Sequence, residues 1–427
     1  MLAYCRPRDE VIWTDRMTSN CRFCDTSLSA VFLDLGNQPS ANRFLTKEQA
    51  EGEDEPLFPL TVRVCSECFL VQLEDTHKPE EIFTSEYVYY SSYAGSWVDH
   101  ARRYTEKVVD TLSLDSESFV VEIGSNDGYL LQHLVGTGIR CLGIDPVAEL
   151  ADAAKGRGVE TLVDFFNSVV GAQVAATHGK ADLIVGNNVF AHVPTVNDFV
   201  AGIATLLAPD GIVTLEFPHL ARLIKDMQFD TIYDEHVFYF SLGTARRVLR
   251  RHGLEIFNVE KLPTHGGSLR IYGRHQKNSD LAITDLVERV LADEAAADLD
   301  SIDGYKGFGE KSERIRRDFL EFVDNERTVN SSIAAFGAAA KGNTFLNYCG
   351  VGRGVIEFVA DDTPAKQGKF LPGTHIPVLP ATKISETKPD VILILPWNVA
   401  DEIREKLAYT HKWGARLVTC IPKIRID

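Results

Sequence analysis

The chain has 427 residues, 44% of them hydrophobic, and a formal net charge of −17 from 44 basic and 61 acidic side chains. That length predicts two or three domains with sizeable cores. The acid excess, with no cluster of lysine or arginine interleaved with aromatics, argues against nucleic-acid binding. No apolar run approaches the roughly 18 residues of a membrane span, and Arg6, Arg8, Asp9 and Glu10 leave no apolar core for a signal peptide. The expected location is the cytoplasm, with no membrane partner. Nothing in the sequence fixes the oligomeric state; a monomer is the simplest reading.

In chain order, residues 1–16 read as a leader of no structural consequence, followed by a module over 17–85. Four of the eight cysteines form Cys21-x-x-Cys24 and Cys65-x-x-Cys68, two knuckles 40 residues apart. In a chain without a secretory signal, paired knuckles of this kind point to a tetrahedral thiolate zinc site rather than to two disulfides. Four thiolates leave no open coordination position, so the metal is expected to staple a small domain and do no chemistry.

The segment 87–93 holds Tyr87, Tyr89, Tyr90, Ser91, Ser92 and Tyr93. Aromatic packing explains each ring singly, but the hydroxyl density is high for a core. The helix expected from about Ser96, with Trp97, Ala101, Tyr104 and Val108 at helical spacing, leads into the next strand and places the segment beside a ligand pocket.

That strand carries the most informative motif, over a domain expected at 86–280. Val120 to Ile123 is followed by Gly124-Ser125-Asn126-Asp127-Gly128 and, 17 residues later, by Asp145 at the end of a second apolar run. Strand, glycine turn, helix and acid-tipped strand make a mononucleotide-binding crossover, the carboxylate being placed to accept from a ribose. Spacing alone fits S-adenosylmethionine (SAM) or a dinucleotide. Glu122 and Asp127 would repel a pyrophosphate and suit a cation, which favours SAM. Asp164 after the next strand and Asn187 at the end of Ala181 to Asn188 extend the β-α repeat of a methyltransferase-type sheet.

Past that sheet's carboxyl ends come His192 and then Tyr233-Asp234-Glu235-His236. Acid, imidazole and phenol within four residues suit proton abstraction, with a carboxylate orienting the base. Residues 281–328 read as a charged, heptad-like helical connector with a solvated face. From 329 to 427 a second α/β unit is expected. Its turn, Gly337-Ala338-Ala339-Ala340-Lys341-Gly342-Asn343, has a lysine and no acid, so it tolerates phosphate at a helix N-terminus. Asp361 and Pro396-Trp397-Asn398 end its later strands.

The double CxxC, YVYYSSY, VVEIGSNDG, NNVFAHV, YDEHVFYFS and FGAAAKGNTFLNYCG together resemble the zinc-containing sugar C-methyltransferases that branch deoxysugars for antibiotics. The resemblance runs from Cys21 to the C-terminus. It implies an α/β protein in three parts: an N-terminal zinc-binding module, a Rossmann-like SAM methyltransferase domain and a C-terminal Rossmann-like domain for the nucleotide sugar. It also implies a dTDP-4-keto-6-deoxysugar substrate, methylated beside the ketone at C3 more readily than at C5. The expected ligand set is Cys21, Cys24, Cys65 and Cys68 for zinc, and Glu122, Gly124, Asn126, Asp127, Asp145, Asp164 and Asn187 for SAM. Tyr90, Ser91, Ser92, Lys341, Asn343, Asp361, Trp397 and Asn398 are expected to bind substrate. His236 is expected as base, oriented by Glu235 or another carboxylate, with His192, Tyr87 and Tyr233 as donors or shuttles. O- or N-methylation of a nucleotide sugar, or a non-catalytic regulator carrying the same pockets, are the alternatives.

Overall fold

The computed structural model describes residues 19–52, 55–74, 78–84 and 90–427. The leader expected over 1–16 and Tyr87 lie outside the described residues. The first sheet begins with β1 (Ala30–Gln38), β2 (Phe58–Val64) and β3 (Val71–Leu73), paired antiparallel in that order. In β2, Leu60, Val62 and Val64 are buried while Thr61 and Arg63 are half-buried, the two-residue alternation of a strand with one face on a core.

The middle unit supplies β4 (Phe119–Ile123), β5 (Arg140–Ile144), β6 (Thr161–Leu162), β7 (Ala181–Asn187), β8 (Leu207–Pro218), β9 (Phe238–Tyr239), β10 (Leu254–Leu262) and β11 (Ser268–His275). Seven of these form one sheet in the order β10-β11-β8-β7-β4-β5-β6, parallel from β8 to β6, with β11 antiparallel to both its neighbours. Every residue of β4 is buried, as an apolar strand covered by helices on both faces must be. Strand order reverses between β4 and β7, which opens a crevice beyond their carboxyl ends. The missing strand, β9, leaves this sheet and pairs with β3, completing the first sheet as β1-β2-β3-β9.

The C-terminal unit holds β12 (Ile333–Phe336), β13 (Val359–Ala360), β14 (Val378–Leu379), β15 (Val391–Ile394), β16 (Arg416–Thr419) and β17 (Arg425–Ile426), in the order β14-β13-β12-β15-β16-β17. All neighbours are parallel except the terminal pair. No helix among the described residues is long and apolar enough to cross a membrane.

The stretch read as a solvated connector is a spine instead. Helix Phe308–Thr328 buries Phe308, Ile315, Phe319, Phe322 and Val323, and Phe308 stacks on Phe32 of β1 at 4.6 Å while Phe319 meets Phe345 of the C-terminal unit at 4.8 Å. In the preceding helix, Asp285–Ala296, Glu294 is buried and accepts from His219 Nε2 at 2.7 Å and from the Leu242 amide at 2.6 Å. The aromatic face, hidden in a heptad-like charge pattern, gives these helices three partners and fixes the lobes against one another.

At the end of β12, Gly337 has φ +87°, and a Cβ there would lie 2.3 Å from Pro396. Both the left-handed backbone and the close approach demand glycine. Gly337→Ala should destabilise the protein by about 2 kcal/mol or more, read as a fall in the thermal unfolding midpoint; an unchanged midpoint would contradict this packing.

Candidate functional site

The crevice is built by β4, β5 and β7. Gly124 and Asn126 turn the chain with φ +68° and +49°, the Gly124 amide donates to the Ile144 carbonyl at 2.8 Å, and the Asn126 amide donates to Asp145 Oδ2 at 2.9 Å. Asp145 Oδ1 accepts from the Val147 amide at 3.0 Å, so this carboxylate clamps the turn from the neighbouring strand. Burial lifts Asp145 to about 6. Glu122, at the end of β4, stands well above the carboxylate range, first through burial and then through Asp145 and Asp127.

Asp127 Oδ2 accepts from Ser92 Oγ at 2.5 Å and lies 3.3 Å from Arg157, while its Oδ1 is buried without a protein partner. Asn187 Oδ1, at the end of β7, is likewise buried and unpartnered. Three carboxylates together with these orphaned acceptor atoms fit a ligand that brings positive charge, an ammonium and hydroxyls, which SAM does. Asp164 stands exposed two residues beyond β6 and accepts from the Phe165 amide.

Ser91 and Ser92, expected to bind substrate, stand at this crevice. The Ser91 amide donates to Asn126 Oδ1 at 2.9 Å and Ser92 bonds Asp127, so both buttress the turn. Tyr90 stacks on Tyr93 with centroids 5.1 Å apart.

Beside the crevice lies a cleft of imidazoles. The His236 ring is 4.9 Å from that of His192, and its Nε2 accepts from the Tyr233 hydroxyl at 2.8 Å while its Nδ1 donates to the Thr231 carbonyl at 2.9 Å. Burial, then the neighbours His192, His265 and Lys341, hold His236 well below the ordinary imidazole range, so it stands neutral. His192 is brought down to about 4 by burial. Glu235 does not orient the imidazole. Its Oε1 accepts from Asn42 Nδ2 at 2.7 Å, tying the segment to the N-terminal loop, and burial followed by Asp234 raises it to about 8. The Thr231 carbonyl does the orienting, because the tight turn over 233–236 brings His236 back onto that backbone.

The C-terminal unit closes the cleft. Lys341 Nζ donates to Asn398 Oδ1 at 2.7 Å and sits 4.8 Å from the Trp397 ring centroid; burial lowers it to about 8. Trp397 Nε1 donates to Asp230 Oδ2 at 2.7 Å, an acid raised by burial to about 7. Asn343 and Asp361 do not reach the cleft. Asn343 is buried, with Nδ2 donating to the Ala41 carbonyl at 3.3 Å. Asp361 accepts from the Ala338 and Thr363 amides at 2.7 and 2.8 Å and holds its own turn.

Sequence reasoning missed Asp230, His265 and the buried acid Glu216, which reads only as a strand end. The pair Gly266-Gly267 after β10 marks a tight turn that could have drawn notice to His265; Asp230 and Glu216 carry no local signal, because distant residues pair with them.

The zinc module is the simplest site to read. The sulfurs of Cys21, Cys24, Cys65 and Cys68 lie within 4.8 Å of one another, with close pairs at 3.4 and 3.6 Å. A tetrahedron with zinc–sulfur bonds of about 2.3 Å sets sulfurs about 3.8 Å apart, so the four thiolates fit the ion. Asp25 and Phe69, one residue past each knuckle, have φ +64° and +59°. Their amides donate to the carbonyls of Cys21 and Cys65 at 2.8 and 3.0 Å. Gln72 of β3 donates to Cys21 Sγ at 3.2 Å.

The C-methyltransferase C-terminal domain family matches residues 263–422, a methyltransferase domain family residues 97–259, and a zinc binding domain family residues 21–83. C-methyltransferase NovU of Streptomyces niveus is 36% identical over 411 residues, covering 96% of this chain and 97% of that protein. A ubiquinone biosynthesis O-methyltransferase of Burkholderia orbicola is 29% identical over 119 residues, 27% of this chain and 50% of that protein.

Because Gln72 joins the cysteine cluster to β3 and β3 joins β9, zinc loss should reach the cleft. Purified protein should carry one zinc per chain by elemental analysis, and Cys65→Ser should lose it together with several kcal/mol of stability, as removal of a structural metal does. A stable, metal-free Cys65→Ser protein would contradict the assignment.

Proposed function

This chain belongs to the C-methyltransferase family and is a SAM-dependent methyltransferase with a zinc-binding module, and we propose that it methylates the carbon beside the ketone of a dTDP-4-keto-6-deoxysugar, at C3 rather than C5, in deoxysugar biosynthesis for an antibiotic. The observation that carries this reading is the Tyr233–His236 pair, 2.8 Å apart, in a cleft between the acid-lined crevice and Lys341.

SAM supplies an electrophilic methyl group when bound. Glu122, Gly124, Asn126, Asp127, Asp145, Asp164 and Asn187 hold it, with Asp145 taking the ribose hydroxyls. Carbon becomes nucleophilic only after losing a proton, which the neighbouring ketone makes acidic enough for a neutral imidazole to assist. His236 Nδ1 is committed to the Thr231 carbonyl, so Nε2 is the basic atom, and the phenol of Tyr233 covers it. The proton therefore passes from carbon to the Tyr233 oxygen as the phenolic proton moves to Nε2. His192 serves the ring hydroxyls, a role Tyr87 shares. Lys341, Trp397 and Asn398 receive the nucleotide diphosphate: the ammonium provides charge and the indole a stacking wall. A sulfonium and an enolate thus meet in a place screened from water by three lobes.

Two measurements test this. His236→Asn should slow solvent-deuterium exchange at the sugar carbon, with S-adenosylhomocysteine bound, by about 10²–10⁴-fold, and Tyr233→Phe should slow it in the same direction; near-normal exchange in His236→Asn would remove the base assignment. Ribose recognition needs Asp145 as the carboxylate, so SAM affinity should fall as pH drops through about 6, by about tenfold per unit once below it. Calorimetry should find that step abolished in Asp145→Asn; a step of equal size in the variant would rule out Asp145 as its source.

A further inference from the structure

The most heavily bonded group in the middle unit lies outside every role described so far. Glu216, at the carboxyl end of β8, is fully buried and its two oxygens accept from His100 Nε2 at 3.1 and 2.9 Å, Thr264 Oγ1 at 2.9 Å and Arg270 at 2.5 Å. His100, Thr264 and Arg270 come from three elements, and together they pin the turn between β10 and β11. The Ser268 hydroxyl adds a bond to the Thr264 carbonyl at 3.0 Å. A fully buried carboxylate with this many donors is costly to assemble unless every partner is kept, so the turn it holds is rigid.

That turn presents His265. Its backbone is left-handed, with φ +54° and ψ +22°, a conformation that non-glycine residues adopt only under constraint from their surroundings. The ring packs edge-on against Trp97 at 5.0 Å, and Trp97 stacks on Tyr129, whose hydroxyl lies 3.4 Å from Asn187 Nδ2. His265 thus ends an aromatic wall that begins beside the SAM crevice. The following residue, Gly266, lies against the Trp397 ring, where a Cβ would come within 2.5 Å of the indole. Asn188 Nδ2 donates to His265 Nε2 at 3.1 Å. An imidazole that accepts at Nε2 carries its proton on Nδ1, and Nδ1 has no protein partner among the described residues.

We infer that His265 is a further catalytic residue, whose Nδ1–H donates to the ketone oxygen of the substrate. The inference rests on the enolate reading above and deepens it. As the C–H bond breaks and its proton passes through Tyr233 to His236 Nε2, the electron pair moves onto the ketone oxygen, where the His265 donor receives it. When the carbon bonds to the methyl group the carbon–sulfur bond breaks, its electrons stay on sulfur, and the enolate returns to a ketone. A donor fixed before the charge develops stabilises it more than a mobile one. The buried Glu216 cluster provides that fixity, and the burial that keeps His265 neutral, pushing it to about 4, leaves it a hydrogen-bond donor with no proton to surrender to the enolate.

The test compares His265→Phe and His265→Gln with the wild-type protein, following deuterium exchange at the sugar carbon with S-adenosylhomocysteine present, methyl transfer, and SAM affinity. His265→Phe should lose about 10²–10³-fold in both rates with SAM affinity held within a few fold, and His265→Gln, which keeps a donor, should recover about tenfold of that loss. Exchange in His265→Phe within about threefold of wild type would overturn the role, as would a loss of SAM affinity that parallels the loss of rate, since that is the mark of a structural residue. Absence of exchange and of a C-methylated product in the wild-type protein would defeat the enolate reading itself. Exchange in wild type and variant alike would defeat only the part given to His265.

Discussion

The structure turns on one short pairing. β3 lies between the zinc knuckles and the segment that carries His236: Gln72 donates to Cys21 and accepts from the Arg22 amide, and the same residue pairs with Phe238 of β9. The Leu73 amide donates to the Val237 carbonyl at 2.9 Å, one residue beyond His236. A two-residue strand such as β9 has too few hydrogen bonds to hold its own position. It borrows the rigidity of a metal-stapled sheet, and His236 is thereby placed by a domain that does no chemistry.

The other walls of the cleft are held in comparable ways. The N-terminal loop reaches in through Asn42 to Glu235 and through the Ala41 amide to Asp234 Oδ1 at 3.0 Å. The C-terminal unit reaches in through Trp397 to Asp230, and the helices over 285–328 brace all three lobes, with Phe308 and Phe319 packed on the N-terminal and C-terminal units and Glu294 accepting from the middle one. Each of these hydrogen bonds buries a polar group against a partner from another lobe, where an unmade bond would cost about 1–3 kcal/mol. The cleft is therefore a joint product of units that are separate in sequence, and its geometry depends on their docking.

Much of this was legible in the sequence, for reasons that particular residues make plain. Cys21, Cys24, Cys65 and Cys68 are readable because two thiolate pairs at that spacing suit a tetrahedral ion and little else. The turn after β4 and Asp145 are readable because backbone geometry demands glycines there and an acid at a fixed distance. His236 and Tyr233 could be singled out because they are close in sequence. What was lost is what only folding brings together: Glu235 is two residues from Tyr233, yet it faces Asn42; Asn343 sits in a phosphate-like motif, yet it bonds Ala41; Glu216 gathers donors from residues 100, 264 and 270. Ser91 and Ser92 lie near the expected pocket and meet the turn itself, a pairing that hydroxyls next to a tyrosine run do not disclose.

The two α/β units use the same clamp. Asp145 and Asp361 each stand at the tip of a second strand and accept from one amide in the first turn and one just beyond themselves. What differs is the lining: Glu122 and Asp127 border the first turn, whereas Lys366 donates to the Ala338 carbonyl at 2.8 Å and Lys341 follows in the second. Scaffold and ligand preference are consequently independent layers in this protein. Changing which charges border a loop would retune what it attracts while the amide–carboxylate latch beneath kept its shape, so either half can diversify without renegotiating its fold.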